Sequence, residues 1–291
     1  MTELPHWWGP RQRAKNTLIY YCVLAAIAFA RFLPLFILRA TGGALTLLGF
    51  LLPLRERRRA VRQLREAGFA HPWRITFHLY LHFGRLGADW VKLDSVVPSV
   101  EFPDEAKQVL RDALAEGRGV LAVTPHLGNW ELLAQASAFH GFRCTTIAKP
   151  LYDPRLTAIV SDFRERAGVT TLWRGQGPLT ERLSQVMRDG KVLGVLIDQD
   201  TKVASLFIPF FHKLASTPIV PQSLALKQNA PVVFGYCALR HGRYYIHYER
   251  LPAHTNVEAL TRDLNARTET AIRKHPEQWV WIHDRWKRQP S

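Results

Sequence analysis

The sequence predicts an α/β fold in which a mainly parallel sheet is flanked by helices, with an N-terminal helical segment that anchors the chain in a membrane. Apolar residues make up 47% of the 291 residues, enough for a substantial core. After the first quarter of the chain, short apolar runs alternate with stretches of helical spacing, as in α/β proteins. The most apolar stretch lies at the start. We therefore divide the chain into an anchor, residues 1–54, and one folded domain, residues 55–291.

The alternation defines the elements of the folded domain. Strands are predicted at residues 119–123, 142–147, 170–173 and 192–197, with a late pair at 232–239 and 244–250. Helices are predicted at residues 58–67, 75–91, 129–139, 155–166, 179–188 and 257–274. Runs of this kind are typical of strands buried on both faces, which indicates a mainly parallel sheet.

The N-terminal segment has the composition of a membrane anchor. Residues 16–38 contain a single charge, Arg31, and approach the roughly 20 apolar residues that a spanning helix needs. Residues 44–54 are too few to span and are expected to lie in the membrane interface. A cleaved signal peptide ending near Ala28-Phe29-Ala30 and a buried helical hairpin are the alternatives. The apolar sequence resumes at residues 33–38, which favours the anchor over cleavage.

The charge balance indicates anionic partners. Lys and Arg number 39 against 24 Asp and Glu, and nine of the fifteen net charges lie within residues 1–75. Such an excess suits nucleic acid, a phospholipid surface or a phosphorylated substrate. Because the charge lies beside the anchor and no nucleic-acid-binding motif accompanies it, we expect an anionic membrane and no nucleic acid. The basic cluster at residues 55–59 favours a cytoplasmic position for the folded domain. Three scattered cysteines suit a reducing compartment.

Candidate catalytic residues follow the first predicted strand, in the segment T-P-H-L-G-N-W-E-L at residues 124–132. Five steps along a continuous helix rotate by about 140°, so His126 and Glu131 would not share a helix face. The spacing works if His126 lies on a turn that Gly128 permits, with Asn129 capping the next helix. Glu131 could then reach back to one imidazole nitrogen and leave the other as a general base. No Ser or Cys adjoins His126, so the nucleophilic hydroxyl would belong to the substrate. A capping Glu and an incidental His remain the alternative.

Five motifs together resemble one family. They are the segment just described, R-E-R-A-G at 164–168, D-Q-D at 198–200, F-I-P-F-F at 207–211 and H-P-E-Q-W-V-W-I-H at 275–283. In combination they resemble the bacterial lipid A biosynthesis acyltransferases, the lauroyl/myristoyl family of late acyltransferases.

The resemblance implies a glycerolipid-acyltransferase-like fold on the cytoplasmic face of the cell inner membrane. It implies transfer of a fatty acyl chain from an acyl carrier protein thioester, or from acyl-CoA, to a hydroxyl of a phosphorylated lipid A precursor. His126 would be the general base, supported by Glu131, with neither cofactor nor metal. The alternatives are another glycolipid acceptor, such as a phosphatidylinositol mannoside, an aminolipid acceptor, or a non-catalytic lipid-binding protein of the same fold.

The resemblance also implies substrate-binding residues. Arg164 and the amides after His126 are candidates for stabilising the tetrahedral oxyanion. Asp198 and Asp200 would fix an arginine or the substrate, although an Asp-x-Asp pair could also bind a metal.

Several positions depart from the family pattern. Lys149 stands where the family often has Arg, which keeps the charge but loses bidentate phosphate recognition. Arg174 is a candidate for phosphate binding. His212 replaces a Gly after the two phenylalanines, which puts that turn in doubt. His78 and His82, four residues apart, are interpreted as part of an amphipathic surface and not as half of a zinc site.

Overall fold

The computed structural model describes residues 5–52 and 54–290. It opens with four helices, α1 (Pro10–Phe32), α2 (Leu35–Leu51), α3 (Arg55–Glu66) and α4 (Pro72–Val91). The predicted apolar stretch at residues 16–38 is divided between α1 and α2, because Pro34 has no N–H and disfavours helical geometry at Leu33. No single helix in the described ranges has both the length and the apolar composition to cross a membrane. Only α2 and α3 taken together, bent by 86°, meet those criteria.

A six-stranded sheet forms the centre of the folded domain, in the order β3-β2-β4-β1-β7-β8. Its strands are β1 (Val120–Thr124), β2 (Cys144–Ala148), β3 (Val169–Trp173), β4 (Val192–Leu196), β7 (Val232–Arg240) and β8 (Arg243–Arg250). All neighbouring pairs are parallel except β7 and β8, which form an antiparallel hairpin at one edge. The predicted α/β fold with a mainly parallel sheet is therefore confirmed.

Helices cover the sheet. They are α5 (Leu93–Val96), α6 (Asp104–Ala115), α7 (Trp130–Phe139), α8 (Pro154–Arg166), α9 (Leu179–Arg188), α10 (Val220–Lys227) and α11 (Val257–Lys274). The sequence analysis identified α7, α8, α9 and α11. It missed α6, α10 and a two-stranded hairpin of β5 (Ser205–Phe210) and β6 (Lys213–Pro218).

The β5–β6 hairpin closes where the sequence departs from the family pattern. Phe211 and His212 have φ of 46° and 66°, so both lie in the left-handed region, as a two-residue turn of type I′ requires. Phe211 is fully buried and packs against Phe69 and Trp281. The turn doubted from the sequence therefore forms without glycine, because burial of the aromatic ring compensates for the backbone strain.

Helix α2 packs closely on α4. A Cβ atom added at Gly42 or at Gly84 would lie 2.4 Å from the carbonyl oxygen of the other residue, so only glycine permits this approach. Near the start of α2, Arg39 Nε donates a hydrogen bond of 2.7 Å to the buried Asp89 carboxylate. The second half of the predicted anchor therefore rests on the folded domain.

Side-chain size differs between the two faces of the sheet. Because alternate residues of a strand point to opposite faces, Leu121 and Leu193 share one face and pack into a dense core. The other face carries Thr146, Gly194 and Ala122, which lie side by side on β2, β4 and β1. These small residues leave open space on that face.

Candidate active site

His126 and Asp198 meet because β1 and β4 are neighbours in the sheet. Thr124 is paired with Leu196 in the parallel register, and His126 and Asp198 each follow two residues later. The distance from His126 Nδ1 to Asp198 Oδ1 is 2.7 Å. The backbone N–H of His126 also donates to Asp198 Oδ2, at 2.7 Å. One carboxylate therefore fixes both the backbone and the ring of the histidine.

Asp198 is a buried carboxylate that remains ionised. Its side chain is 3% exposed, and it accepts a third hydrogen bond, of 2.7 Å, from the indole Nε1 of Trp279. Burial opposes ionisation. The charge of His126 and the hydrogen bonds from His126 and Trp279 outweigh burial and lower the pKa of Asp198 below its usual value. Since the carboxylate only accepts hydrogen bonds, His126 Nδ1 carries a proton in both states of the ring, and in the neutral ring Nε2 presents a lone pair.

The turn after His126 is built as the sequence predicts. Gly128 has φ of +62°, and a Cβ there would lie 2.0 Å from the carbonyl oxygen of Cys237. Asn129 caps α7 by accepting a hydrogen bond of 3.1 Å from the N–H of Leu132. The N–H groups of Gly128 and Asn129 donate to the carbonyls of Gln278 and Cys237. These two amides are therefore not available to the oxyanion.

The predicted contact between Glu131 and the imidazole is wrong. The Glu131 carboxylate instead accepts a two-fold hydrogen bond from Arg164, with Nε to Oε2 at 3.0 Å and the second bond from Nη2 to Oε1. Thr171 Oγ1 accepts a further bond from the same guanidinium at 3.3 Å. Glu131 lies in the first turn of α7, where its partner comes from α8. The imidazole is bound instead by Asp198, which follows β4. Asp198 therefore does not fix an arginine, which was one of its predicted roles.

A cavity of about 510 Å³ opens beside the imidazole, within the size range of small-molecule sites. Most of its wall is apolar. It includes the row of Thr146, Gly194 and Ala122, and residues from α7, α9 and α10. Its polar lining contains five residues that the sequence analysis selected, which are His126, Glu131, Lys149, Arg164 and Arg174.

The charged residues that line the cavity differ in whether they already form an ion pair. Lys149 is exposed and Arg174 half-buried. Neither makes an ion pair with any carboxylate that the structure describes. Arg164 is paired with Glu131, and both are largely buried, with side chains 14% and 15% exposed. Lys149 and Arg174 are therefore the cations open to an anionic substrate.

Asp200 does not share this site. Its carboxylate accepts hydrogen bonds from the backbone N–H of Arg288, at 2.8 Å, and from the guanidinium of the same residue. Its own N–H donates to His283 Nε2 at 3.0 Å. The predicted substrate-binding role of Asp200 is therefore not supported by its position, because its side chain ties the end of the chain to the β4 loop.

Two residues behind the site were not recognised in the sequence. Trp279 belongs to the closing motif, in which no functional role was predicted for it, and its indole donates to Asp198. His82 was assigned to a surface, but it is 5% exposed and its Nε2 lies 3.3 Å from the Gly128 carbonyl oxygen. Burial lowers the pKa of His82 to about 4, so the neutral ring supports the turn that carries His126.

Alternative nucleophiles and metal ligands were also considered. Cys144 lines the cavity, but burial raises the pKa of its thiol to about 12, so the reactive thiolate does not form at neutral pH. Within residues 5–52 and 54–290, no group of three or more His, Cys, Asp or Glu side chains is arranged to hold a metal.

The arrangement can serve general-base chemistry on a substrate with an apolar part. A histidine held by a buried carboxylate lies at the carboxyl edge of a parallel sheet, where sites of α/β folds gather, and faces a cavity with apolar walls. The chain belongs to the family described as bacterial lipid A biosynthesis acyltransferase, whose family model matches residues 91–288. The family resemblance of the motifs is thereby confirmed.

Two relatives that are named acyltransferases are similar to most of the chain. A phosphatidylinositol mannoside acyltransferase of Mycobacterium tuberculosis strain H37Rv is 27% identical over 199 residues, covering 67% of this chain and 61% of the relative. A phosphatidylinositol mannoside acyltransferase of Mycolicibacterium smegmatis is 26% identical over 227 residues, covering 76% and 70%. The chain thus spans about three fifths of the length of the Mycobacterium tuberculosis relative it matches.

Proposed function

We propose that this protein transfers a fatty acyl chain from a thioester to a hydroxyl of a glycolipid at a membrane. The observation that carries the proposal is the His126–Asp198 hydrogen bond of 2.7 Å at the wall of an apolar cavity. Membership of the acyltransferase family and the names of the relatives agree with this proposal.

The reaction follows from the protonation states of the pair. His126 Nε2 removes the proton of the acceptor hydroxyl as its oxygen bonds to the thioester carbonyl carbon. Asp198, which stays ionised, stabilises the imidazolium that forms. The tetrahedral intermediate then expels the thiolate, which takes the proton from His126. The products are an ester and a free thiol, and His126 returns to its initial state.

The cavity suggests how each substrate is held. The acyl chain would lie along the row of small residues, Thr146, Gly194 and Ala122, where burial of apolar surface stabilises it. Lys149 and Arg174 would receive a phosphate of the acceptor or of the donor's carrier group. Arg164, oriented by Glu131, would present its remaining N–H groups to the reacting carbonyl.

The acceptor and donor are proposed as follows. We propose a phosphorylated lipid A precursor as acceptor, in keeping with the family description. We propose an acyl carrier protein thioester as donor. Acyl-CoA is the alternative donor. The names of the relatives favour an alternative acceptor, a phosphatidylinositol mannoside.

Membrane association is proposed from the N-terminal helices. Large apolar side chains are exposed along α1 and α2, among them Phe29, Phe32, Leu48 and Leu51. An anionic lipid surface would attract the arginines of α3. We propose that residues 1–54 hold the acyltransferase domain, residues 55–291, on the cytoplasmic side of the inner membrane.

One reconstitution experiment tests the proposal. The purified protein is mixed with an acyl donor, either an acyl-CoA or an acyl carrier protein thioester. The acceptor is either a lipid A precursor or a phosphatidylinositol mannoside. The masses of the products are measured by mass spectrometry. We expect one acceptor to gain an acyl mass, and His126→Ala to reduce that rate by at least about 10²-fold. Equal lipid binding with no acyl transfer in either protein would establish a non-catalytic lipid-binding protein instead.

A further inference from the structure

A second hollow, of about 330 Å³, is separate from the acyl cavity and rich in positive charge. Its lining consists of Arg39, Arg85, Ser99, Gly242, Arg243 and Tyr244. None of these residues lines the cavity beside His126. We refer to it as the arginine hollow.

Three different elements bring the guanidinium groups together. Arg39 lies on α2, Arg85 on α4 and Arg243 at the start of β8. The turn between β7 and β8 is fixed against α4, because Arg85 Nη2 donates a hydrogen bond of 3.0 Å to the Gly242 carbonyl. Close packing of α2 on α4 holds Arg39 beside them. The three guanidinium groups are therefore carried by two helices and a strand, and the β7–β8 turn also borders the hollow.

The positive charge of the hollow is only partly compensated. The nearest carboxylate is Asp89, which is fully buried below the arginines. Its Oδ1 accepts from Arg39 at 2.7 Å, and its Oδ2 accepts from the Tyr244 hydroxyl at 2.7 Å and lies 3.6 Å from Arg85 Nε. Two guanidinium groups, those of Arg39 and Arg85, thus share one carboxylate whose oxygens are already engaged, and Arg243 adds a third positive charge to the hollow.

Two arginines that line the hollow have donors that no described residue uses. Arg85 Nε is shielded from water and makes no hydrogen bond to any described residue. Arg243 is exposed and pairs with no carboxylate in the described part of the chain. Planar guanidinium forks that converge on one space match the oxygens of a phosphate group.

We infer that the arginine hollow binds a phosphate group, distinct from any phosphate bound beside His126. The group can come from inorganic phosphate or from a phospholipid headgroup. Arg39 belongs to α2, on which Leu45 and Leu48 are exposed, so a lipid whose chains lie along α2 could place its phosphate here. The inference is independent of the proposed acyl transfer.

The first arm of the test uses inorganic phosphate. The full chain is titrated with sodium phosphate at constant ionic strength and followed by calorimetry. We expect saturable binding that Arg243→Gln weakens about tenfold, because hydrogen bonds to a charged group are lost. Arg243→Lys, which keeps the charge and loses the fork, should lie between the two. Arg262→Gln on α11, the same charge change at an exposed ion pair with Glu258, should leave the affinity unchanged within about twofold.

The second arm uses dihexanoyl phosphatidic acid below its micelle concentration. Binding of this lipid but not of inorganic phosphate, weakened by Arg243→Gln alone, would support the site and identify its source as a lipid. Binding of both would support a site that recognises phosphate from either source. Binding of neither, or equal weakening by Arg243→Gln and Arg262→Gln, would overturn the inference. Melting temperatures of all variants establish that each is folded.

Discussion

Replacing Asp198 by Asn tests which carboxylate supports His126, the proposed general base. In the wild-type protein, Asp198 Oδ1 accepts from the imidazole and Oδ2 accepts from two N–H groups, those of the His126 backbone and the Trp279 indole. An Asn side chain has one acceptor oxygen and one donor NH2 group. The Asn oxygen can therefore accept either from the imidazole or from the two N–H groups, but not from both.

The energetics decide which way the Asn side chain turns. With its oxygen toward the two N–H groups, its NH2 group faces His126 Nδ1, which must then accept, so the imidazole proton moves to Nε2. In the opposite orientation, the NH2 group faces two donors, and each unmade hydrogen bond costs about 1–3 kcal/mol. The first orientation is favoured, and it removes the lone pair of Nε2. The predicted loss of kcat is that of a general base, about 10²- to 10⁴-fold, or about 3–5 kcal/mol of transition-state stabilisation.

The assay measures initial rates of thiol release from the acyl donor, with the acceptor varied to separate kcat from KM. Glu131→Gln, which weakens only the pair with Arg164, should lower kcat by about tenfold or less. Asp200→Asn provides a matched control, because it removes a buried carboxylate of the same loop that binds Arg288 and does not line the cavity. The reasoning fails if Asp198→Asn keeps kcat within about threefold of wild type, or if Glu131→Gln alone abolishes turnover.

Three further predictions concern stability and specificity. First, the pKa of His82 is lowered from 6.5 to about 4 on folding, so its neutral form stabilises the protein above pH 6.5, and that contribution is lost as the pH falls toward 4. Denaturant titrations should show about 2 kcal/mol less stability at pH 5 than at pH 8 from this residue, and a smaller difference in His82→Gln. Second, a Cβ at Gly194 meets Thr146 at an ordinary contact of 3.5 Å, so Gly194→Leu should fold and fill part of the cavity. With a series of acyl-CoA donors, its preferred chain should be shorter than that of wild type, and an unchanged preference would place the acyl chain elsewhere. Third, His212→Gly should raise the free energy of unfolding in denaturant titrations by about 0.5–1 kcal/mol, because glycine relieves the left-handed backbone.

The elements around the site could be predicted because their signals are local. The apolar run of β1, the flexible Gly128 and the capping Asn129 lie within about ten residues of one another, and each acts on its own stretch of backbone. The position of His126 on a strand-to-helix turn therefore followed from spacing alone. The elements α6 and α10 and the β5–β6 hairpin were missed.

The partner of His126 was decided by the tertiary structure. Glu131 is five residues away in the chain and Asp198 is 72, yet the nearer acid turns to Arg164 on α8. The placement of Asp198 at the end of a strand was predictable. The adjacency of that strand to β1 was not, because strand order depends on which surfaces the whole sheet and its helices bury. For the same reason, sequence distance could not predict that Asp200 lies outside the site. It also could not predict that arginines of α2, α4 and β8 lie close together. Sequence alone determined the family and the fold class and predicted His126 as the general base, whereas packing across the sheet determined which acid contacts His126 and where the remaining charges converge.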